Sequence, residues 1–482
     1  CNATFDSRAT RRYIPTGSLM PHILGYVGFP TVEQVDEVIR QGFNAETLIG
    51  QAGIEATWDE VLRGRPGGRL LIIGADGTTL RTLAQTSAQV PESLWLTIDA
   101  DLQNYVLQAI GEAYAQNAVY GDGSPGWGTT SPGAAAVVMN VKTGEVLAMA
   151  SYPYYDANAY TPFPAIGQDV ANQIKQQVSN DPNTPQLNRA TQGAYPSGST
   201  FKVVDSMAVL DTGLYTEDKT YYCSGFWEYE GDIRTDWWPA GHGTVNTRTA
   251  LRQSCNPFFY QAGFVLNNMD PWVLPTYARR MGLGVPTGMT DLIDNPGNIP
   301  DPDFIRQTYG LTWTYSNAVN LAIGQGEIEV TPLQLARMYA AIANGGTLYV
   351  PQLVRERGIL DQRTFVAEPE VSSTFDMSAD ALRIVREGLC DVTSQRNGTA
   401  WHIFNLPSPS PLVDYQGGVC GKTSTAQVGG ENRTPHSWFA AYAPKDDPEI
   451  VVVVLVENAG DGSAVAAPIT KRILEYYFFL QD

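Results

Sequence analysis

The longest uninterrupted apolar run in the chain is Ile450-Val451-Val452-Val453-Val454-Leu455-Val456. Its length and its β-branched composition predict a buried strand. It is far short of the roughly 20 residues that cross a bilayer as a helix. Two further strand signals precede it, Gly418 to Val428 and Ser437 to Ala443. Turns at Gly429-Gly430 and at Pro444-Lys445-Asp446-Asp447-Pro448 separate the three. A hairpin is predicted much earlier, from Ala134 to Val141, through Lys142-Thr143-Gly144, and back along Glu145 to Ser151. About five antiparallel strands from both ends of the chain would therefore share one sheet, with helices between them. This predicts one α/β (α+β) domain over residues 95–482.

Residues 1–94 read differently. They carry many turns, including Pro15-Thr16-Gly17, Gly28-Phe29-Pro30, Arg65-Pro66-Gly67-Gly68 and Asp76-Gly77. Short helical or strand-like pieces such as Val32 to Arg40 and Arg69 to Ile73 lie between them. No cluster of catalytic residue types is found there, so the expectation is a small irregular packing or docking domain. The 482 residues suit one large and one smaller domain. A net charge of −19 argues against nucleic acid and against a polybasic membrane contact. The chain begins at Cys1 rather than at methionine, which leaves room for an anchor or leader ahead of it.

Within the larger domain, a helix is predicted from Leu102 to Ala115, capped near Asp99 or Asp101. Thr331-Pro332-Leu333-Gln334 opens another: threonine suits the N-cap, proline the first turn, and glutamine completes a capping box. Further helices are expected from about Ser378 to Cys390 and from Pro468 to Leu480. Residues 248–265 look helical but are interrupted at Ser254-Cys255-Asn256-Pro257. Residues 213–247 form an insert containing Trp227, Trp237 and Trp238.

The chemistry centres on Ser199-Thr200-Phe201-Lys202. Pro196 and Gly198 end what comes before it, and Phe201, Val204 and Ala208 then recur at helical spacing. Residues three apart share a helix face, so Ser199 and Lys202 can meet. A serine hydroxyl needs a neighbour to take its proton, and a lysine does so once burial leaves it neutral. Taken alone, S-x-x-K fits a surface Ser and Lys equally well. Two later motifs change its weight: Ser254-x-Asn256 on a helix–helix turn, and Lys422-Thr423-Ser424 on a strand. The ordered set S-x-x-K, S-x-N, K-T-x marks penicillin-binding proteins and β-lactamases.

On these residues the chain resembles a class B penicillin-binding protein over nearly its whole length. Supporting stretches include Ser254-Cys255-Asn256-Pro257-Phe258-Phe259-Tyr260, Ile323-Gly324-Gln325-Gly326 and Gly421-Lys422-Thr423-Ser424-Thr425-Ala426-Gln427. Leu24-Gly25-Tyr26-Val27-Gly28 and Gly50-Gln51-Ala52-Gly53-Ile54-Glu55 look like that family's pedestal. Gly241-His242-Gly243 resembles its elongation type. The resemblance implies a penicillin-binding fold with a pedestal over residues 1–94. It implies a peptidoglycan D,D-transpeptidase that cross-links stem peptides through an acyl-enzyme at Ser199 and is acylated by β-lactams. Lys202 would be the base. Ser254 and Lys422 would relay a proton, and Asn256 would hold Lys202 and the substrate amide. Thr423 and Thr425 would hold the substrate carboxylate. The backbone N–H groups of Ser199 and Thr425 would form the oxyanion hole. No cofactor is required. The resemblance further implies a site on the extracytoplasmic face of the bacterial membrane, an anchor ahead of the pedestal, and a membrane glycosyltransferase as partner. Ser424 departs from the family, which usually has glycine there. The expectation is that its side chain faces away from the cleft or narrows it slightly.

Cys223, Asp236, His242 and Cys255 are spaced C-x12-D-x5-H-x12-C. Two thiols, an imidazole and a carboxylate suit tetrahedral zinc, and a zinc near this place occurs in elongation-type members of the family. Two other readings compete: a Cys223–Cys255 disulfide, or free residues with His242 hydrogen-bonded in its loop. Five cysteines give no disulfide framework, and Cys390 and Cys420 read as buried apolar residues. His436 reads as a structural hydrogen-bonder. Other functions remain open: a D,D-carboxypeptidase or β-lactamase-like hydrolase, or a catalytically weak β-lactam sensor or scaffold.

Overall fold

The computed structural model describes residues 19–480 except 74, 77 and 430–432. Cys1, the turn Pro15-Thr16-Gly17, and the glycines at 77 and 430 of two expected turns lie outside the described residues. A five-stranded antiparallel sheet forms the centre. Its strands are β1 (Ala134–Asn140), β2 (Val146–Tyr152), β3 (Cys420–Ala426), β4 (His436–Ala443) and β5 (Ile450–Val456), in the order β3-β4-β5-β1-β2. The apolar run is thus the middle strand, with Val453 paired to Ala440 on one side and Val137 on the other. All seven of its residues are buried.

Alternate side chains of β5 enter different layers, because successive side chains of a strand point to opposite faces. Val451, Val453 and Leu455 pack with the layer that holds α2 (Lys202–Asp211), α4 (Asn256–Met269) and α5 (Pro332–Asn344). Ile450, Val452, Val454 and Val456 pack with α1 (Ala100–Gln116) and α7 (Ala466–Phe479). Each such side chain contributes about 1.5–3 kcal/mol of gross burial. Helices on both faces explain why β5 lacks the polar alternation of a half-exposed strand.

The helix starts follow the capping chemistry. Asp99 caps α1 by accepting from Asp101 N and Leu102 N, both at 3.0 Å. Thr331 and Gln334 cap α5 reciprocally, each accepting the other's backbone N–H at 3.1 Å. The expected interruption falls between α3 (Thr247–Gln253) and α4. The later helix is longer than expected, α6 (Ala379–Ser394).

One expectation about cysteines is corrected. Cys390 on α6 and Cys420 on β3 form a disulfide rather than packing as separate apolar residues. The disulfide is buried where α6 crosses the sheet edge, so the pair does staple the chain despite the odd cysteine count.

The N-terminal portion has a helix at Val32–Arg40 and a small antiparallel pair, Tyr26–Gly28 with Ile49–Ala52. A hairpin of Gly68–Ile73 and Thr79–Thr86 stands almost wholly exposed. Strand Ser93–Leu96 then pairs with Val354–Ile359, which ties this portion to the later chain. Among the described residues, no helix is long and apolar enough to cross a membrane.

Candidate active site

The residue Ser199 sits in a 3-10 turn, Gly198–Phe201, that leads directly into α2. Tyr195 and Val330 exchange backbone hydrogen bonds at 2.9 Å, and Gly198 N donates to Gly324 O at 2.9 Å. The Ile323-Gly324-Gln325-Gly326 loop therefore backs the turn. Gly198 has φ +53°, and a Cβ there would lie 2.3 Å from Ser424 Oγ. Only glycine suits both demands.

Lys202 is fully buried one turn on. Its Nζ donates to Asn256 Oδ1 at 2.6 Å, to Ser254 O at 2.7 Å and to Ser254 Oγ at 3.1 Å. Ser254 closes α3 in the left-handed region, φ +56°, which turns its carbonyl and hydroxyl together toward Lys202. A non-glycine residue held there costs of order 1–3 kcal/mol and is found where surrounding contacts fix it. Burial lowers the Lys202 pKa to about 8, against the opposing negative charge of Asp236. An ammonium stripped of water is disfavoured, so the neutral amine becomes accessible near neutrality.

Strand β3 forms the other wall. Lys422 is fully buried, donates to Thr423 O at 3.0 Å, and has its pKa driven well down by burial and then by Lys202. No hydrogen bond joins it to Ser254 among the described residues. The Thr423 hydroxyl is 2.7 Å from that of Thr399. Thr425 is exposed, and its Oγ1 donates to Asp461 Oδ2 at 3.3 Å. Ser424 lies on the same strand face as Lys422 and meets the serine turn. It is buried, and its Oγ donates to Ser197 O at 2.8 Å. The hydroxyl that replaces the usual glycine thus ties β3 to the Ser199 turn.

The insert brings three of the four expected metal-site residues close together. Donor atoms of Cys223, Asp236 and Cys255 lie within 4.8 Å of one another, all buried. His242 Nε2 is 3.1 Å from Asp236 Oδ2, and His242 Nδ1 is 3.2 Å from Gln253 Oε1. Asp236 Oδ1 is occupied by Trp237 N at 2.8 Å and Asn256 N at 3.2 Å, which leaves Oδ2 facing the thiols. Cys223 and Cys255 are free thiols, so the disulfide reading is corrected. A hydrogen bond from Cys255 holds the Cys223 thiol down to about 7, and the same contact pushes Cys255 up.

Sequence reasoning missed Thr399, Asp461 and Asp205. The first two lie on loops that reach the cleft only through the tertiary fold. Asp205, one turn after Lys202, is fully buried, with both carboxylate oxygens unpartnered among the described residues. Burial raises its pKa well above the usual carboxylate range. His436 is structural, as expected: its Nδ1 accepts from Asn458 N at 3.0 Å.

A sheet flanked by helices, with a serine turn leading into the helix of a buried lysine and a K-T strand on the sheet edge, defines the class of active-site-serine penicillin-binding enzymes. The chain belongs to the penicillin-binding protein transpeptidase family. The family model for the penicillin-binding protein transpeptidase domain matches residues 134–475, and the one for the penicillin-binding protein dimerisation domain matches residues 3–96. Peptidoglycan D,D-transpeptidase MrdA of Haemophilus influenzae is 30% identical over 97% of this chain and 69% of its own. MrdA of Escherichia coli K12 is 27% identical over 97% and 71%. Among solved structures, a chain of a peptidoglycan synthase complex that coordinates polymerization and crosslinking superposes with TM-score 0.77 at 32% identity, covering 96% of this chain and 75% of that one. PBP2 of Helicobacter pylori, in complex with MreC, gives 0.76 at 26%, covering 96% and 78%.

Proposed function

We propose that the chain is a peptidoglycan D,D-transpeptidase of the cell-elongation type, acting outside the cytoplasmic membrane. The observation that carries this reading is Lys202, fully buried and bonded at once to Ser254 and Asn256. That contact joins the first two motifs around a base adjacent to Ser199. Neutral Lys202 takes the Ser199 proton as Oγ attacks the penultimate carbonyl of a stem peptide ending in D-Ala-D-Ala. The backbone N–H groups of Ser199 and Thr425 receive the oxyanion, a contribution of roughly 3–4 kcal/mol per donor. The bond to the terminal D-Ala breaks, and its amine leaves with a proton relayed through Ser254 and Lys422. An amine of a second stem peptide then attacks the acyl carbonyl; its proton passes through Lys202 to Ser199 Oγ as the ester bond breaks, which closes the cross-link and restores the serine and neutral Lys202. Thr423 and Thr425 orient the substrate carboxylate beside the Lys422 wall. β-Lactams acylate the same serine.

Labelling with a fluorescent penicillin tests this. Wild type should carry an adduct of one penicillin, persistent over hours in intact mass, and Ser199→Ala none. Rapid loss of the adduct would instead indicate a hydrolase.

The Cys223, Asp236, His242 and Cys255 donors fit a tetrahedral zinc: soft buried thiols, a carboxylate oxygen turned toward them, and a histidine held through its second nitrogen. Zinc would brace the turn that carries Ser254 and Asn256. Metal analysis of protein purified without chelator should give one zinc per chain, absent from Cys255→Ser.

Residues 1–94 would act as the pedestal beneath a transpeptidase unit of residues 95–482. A membrane glycosyltransferase is the proposed partner. The exposed Gly68–Ile73 and Thr79–Thr86 hairpin supports this, since Leu70, Ile72, Leu80 and Leu83 face solvent there.

A further inference from the structure

A cavity of about 350 Å³ opens where α2, the end of α5 and the first turns of α6 meet the turn after β4. None of Ser199, Lys202, Ser254 or Lys422 lines it. Buried Met207 of α2 closes its back, and Phe375, Met377 and Leu382, each partly exposed, form apolar walls. Its size lies at the small end of the roughly 300–1,000 Å³ of typical small-molecule sites.

The charges at its rim do not balance. Arg383, Arg386 and Lys445 line it with one carboxylate, Glu387. That carboxylate is already neutralised: Arg248 Nη1 lies 2.6 Å from it and Arg383 Nη1 3.2 Å. Arg383 is paired again, with Glu217 at 2.7 Å. Arg386 and Lys445 remain, and neither has an ion-pair partner among the described residues. Arg386 meets only a neutral group there, the hydroxyl of buried Tyr442. An apolar recess bordered by two uncompensated cations concentrates positive potential at its mouth. A bare anion would answer the charge but leave the walls wet. An uncharged apolar molecule would cover the walls but leave the cations without a partner.

We propose that this cavity binds a small aromatic carboxylate, its ring against Phe375 and Met377 and its carboxylate on Arg386 and Lys445. A phenylalanine edge and a methionine sulfur both favour an aromatic ring over an aliphatic chain. A guanidinium favours a carboxylate, which it can meet with two parallel N–H groups.

Saturation-transfer NMR titration with naphthalene-2-carboxylate tests this on the whole chain. Naphthalene-2-carboxamide keeps the ring and lacks the charge; octanoate keeps the charge and lacks the ring. Wild type should bind the carboxylate about tenfold more tightly than the carboxamide, the worth of one charge-assisted hydrogen bond, and more tightly than octanoate. Arg386→Gln combined with Lys445→Gln should bring the carboxylate and carboxamide to equal affinity while carboxamide binding itself is unchanged. That ratio is read within one protein, so a general loss of stability would not mimic it. Ala379 is exposed at the rim, and Ala379→Trp should fill the cavity and abolish transfer to both naphthalenes without moving the melting curve. Equal affinity for carboxylate and carboxamide in wild type would overturn the proposal, as would octanoate binding as tightly as the naphthalene acid. So would a preference that survives in the double variant. Transfer that persists in Ala379→Trp would place the ligand elsewhere, the catalytic cleft included, and would overturn it too.

Discussion

Burial lowers the pKa of Lys202 to about 8, and that has consequences for both rate and stability. If Lys202 takes the Ser199 proton, only its neutral form is competent. Acylation by a penicillin should then rise about tenfold from pH 7 to pH 9, as the neutral fraction rises around the midpoint. Stopped-flow acylation checks this; a flat profile would remove Lys202 as the base. The stability effect follows from linkage. Between about 8 and its ordinary 10.5 the unfolded chain binds the proton that the folded chain has lost, so stability rises with pH across that window. The lysine's contribution there is roughly 3 kcal/mol. Urea unfolding of wild type minus Lys202→Met, followed from pH 7.5 to 10.5, should show the difference growing in favour of wild type. The Ser199, Lys202, Ser254 and Asn256 set was legible because each lies in a short ordered motif. Thr399 and Asp461 were not, because neither belongs to a motif and each meets β3 from a loop. The orientation of Ser424 followed only once β3 had a register and the Ser197 carbonyl lay 2.8 Å from its hydroxyl.

At the scale of elements, the sheet was readable because β5 is apolar throughout and the hairpin β1–β2 carries a clear turn. The link between α6 and β3 was not readable. Cys390 and Cys420 lie 30 residues apart, in a chain with an odd number of cysteines, and nothing local announces that a helix will cross the sheet edge there. That bond matters for the site because Cys420 precedes Lys422 by two residues on the same strand. Closing a loop of this length should stabilise the fold by about 2–4 kcal/mol. The double variant Cys390→Ala with Cys420→Ala should lower the unfolding free energy from urea titration by that amount. In parallel, in denatured but unreduced protein Cys223 and Cys255 should react with a thiol reagent while Cys390 and Cys420 do not. Reaction at Cys390 and Cys420 would contradict the bond. The insert was partly legible for the same kind of reason: its thiol, carboxylate and imidazole spacing is visible in sequence, but only the fold shows Asp236 turned between the thiols and the Asn256 backbone.

At the scale of the molecule, a buried carboxylate joins the N-terminal portion to the rest beside the strand pairing of Ser93–Leu96. Asp291 Oδ1 accepts from Trp58 Nε1 at 2.9 Å, and its Oδ2 accepts from Leu353 N at 2.7 Å and Val354 N at 3.2 Å. Its backbone carbonyl accepts from Thr57 Oγ1 at 2.6 Å. Thr57 and Trp58 belong to the N-terminal portion. Leu353 and Val354 lead the strand that pairs with Ser93–Leu96. No periodicity or motif marks Asp291, which is why the sequence suggested a separate N-terminal portion but not what fastens it. Asp291→Ala would leave an indole N–H and two backbone N–H groups unpaired in a buried place, at about 1–3 kcal/mol each where water cannot reach them. The loss falls on the joint rather than on the sheet. Hydrogen exchange followed by mass spectrometry should therefore show faster exchange across Tyr26–Gly28, Ile49–Ala52 and Ser93–Leu96 in the variant, with β4 and β5 unchanged. Penicillin labelling at Ser199 should persist, since no contact of Asp291 reaches the serine turn. If exchange rises equally in β5, the two portions unfold as one cooperative unit and Asp291 is not the joint between them. If neither changes, the strand pairing of Ser93–Leu96 alone suffices to hold the pedestal, and the carboxylate only fills its space.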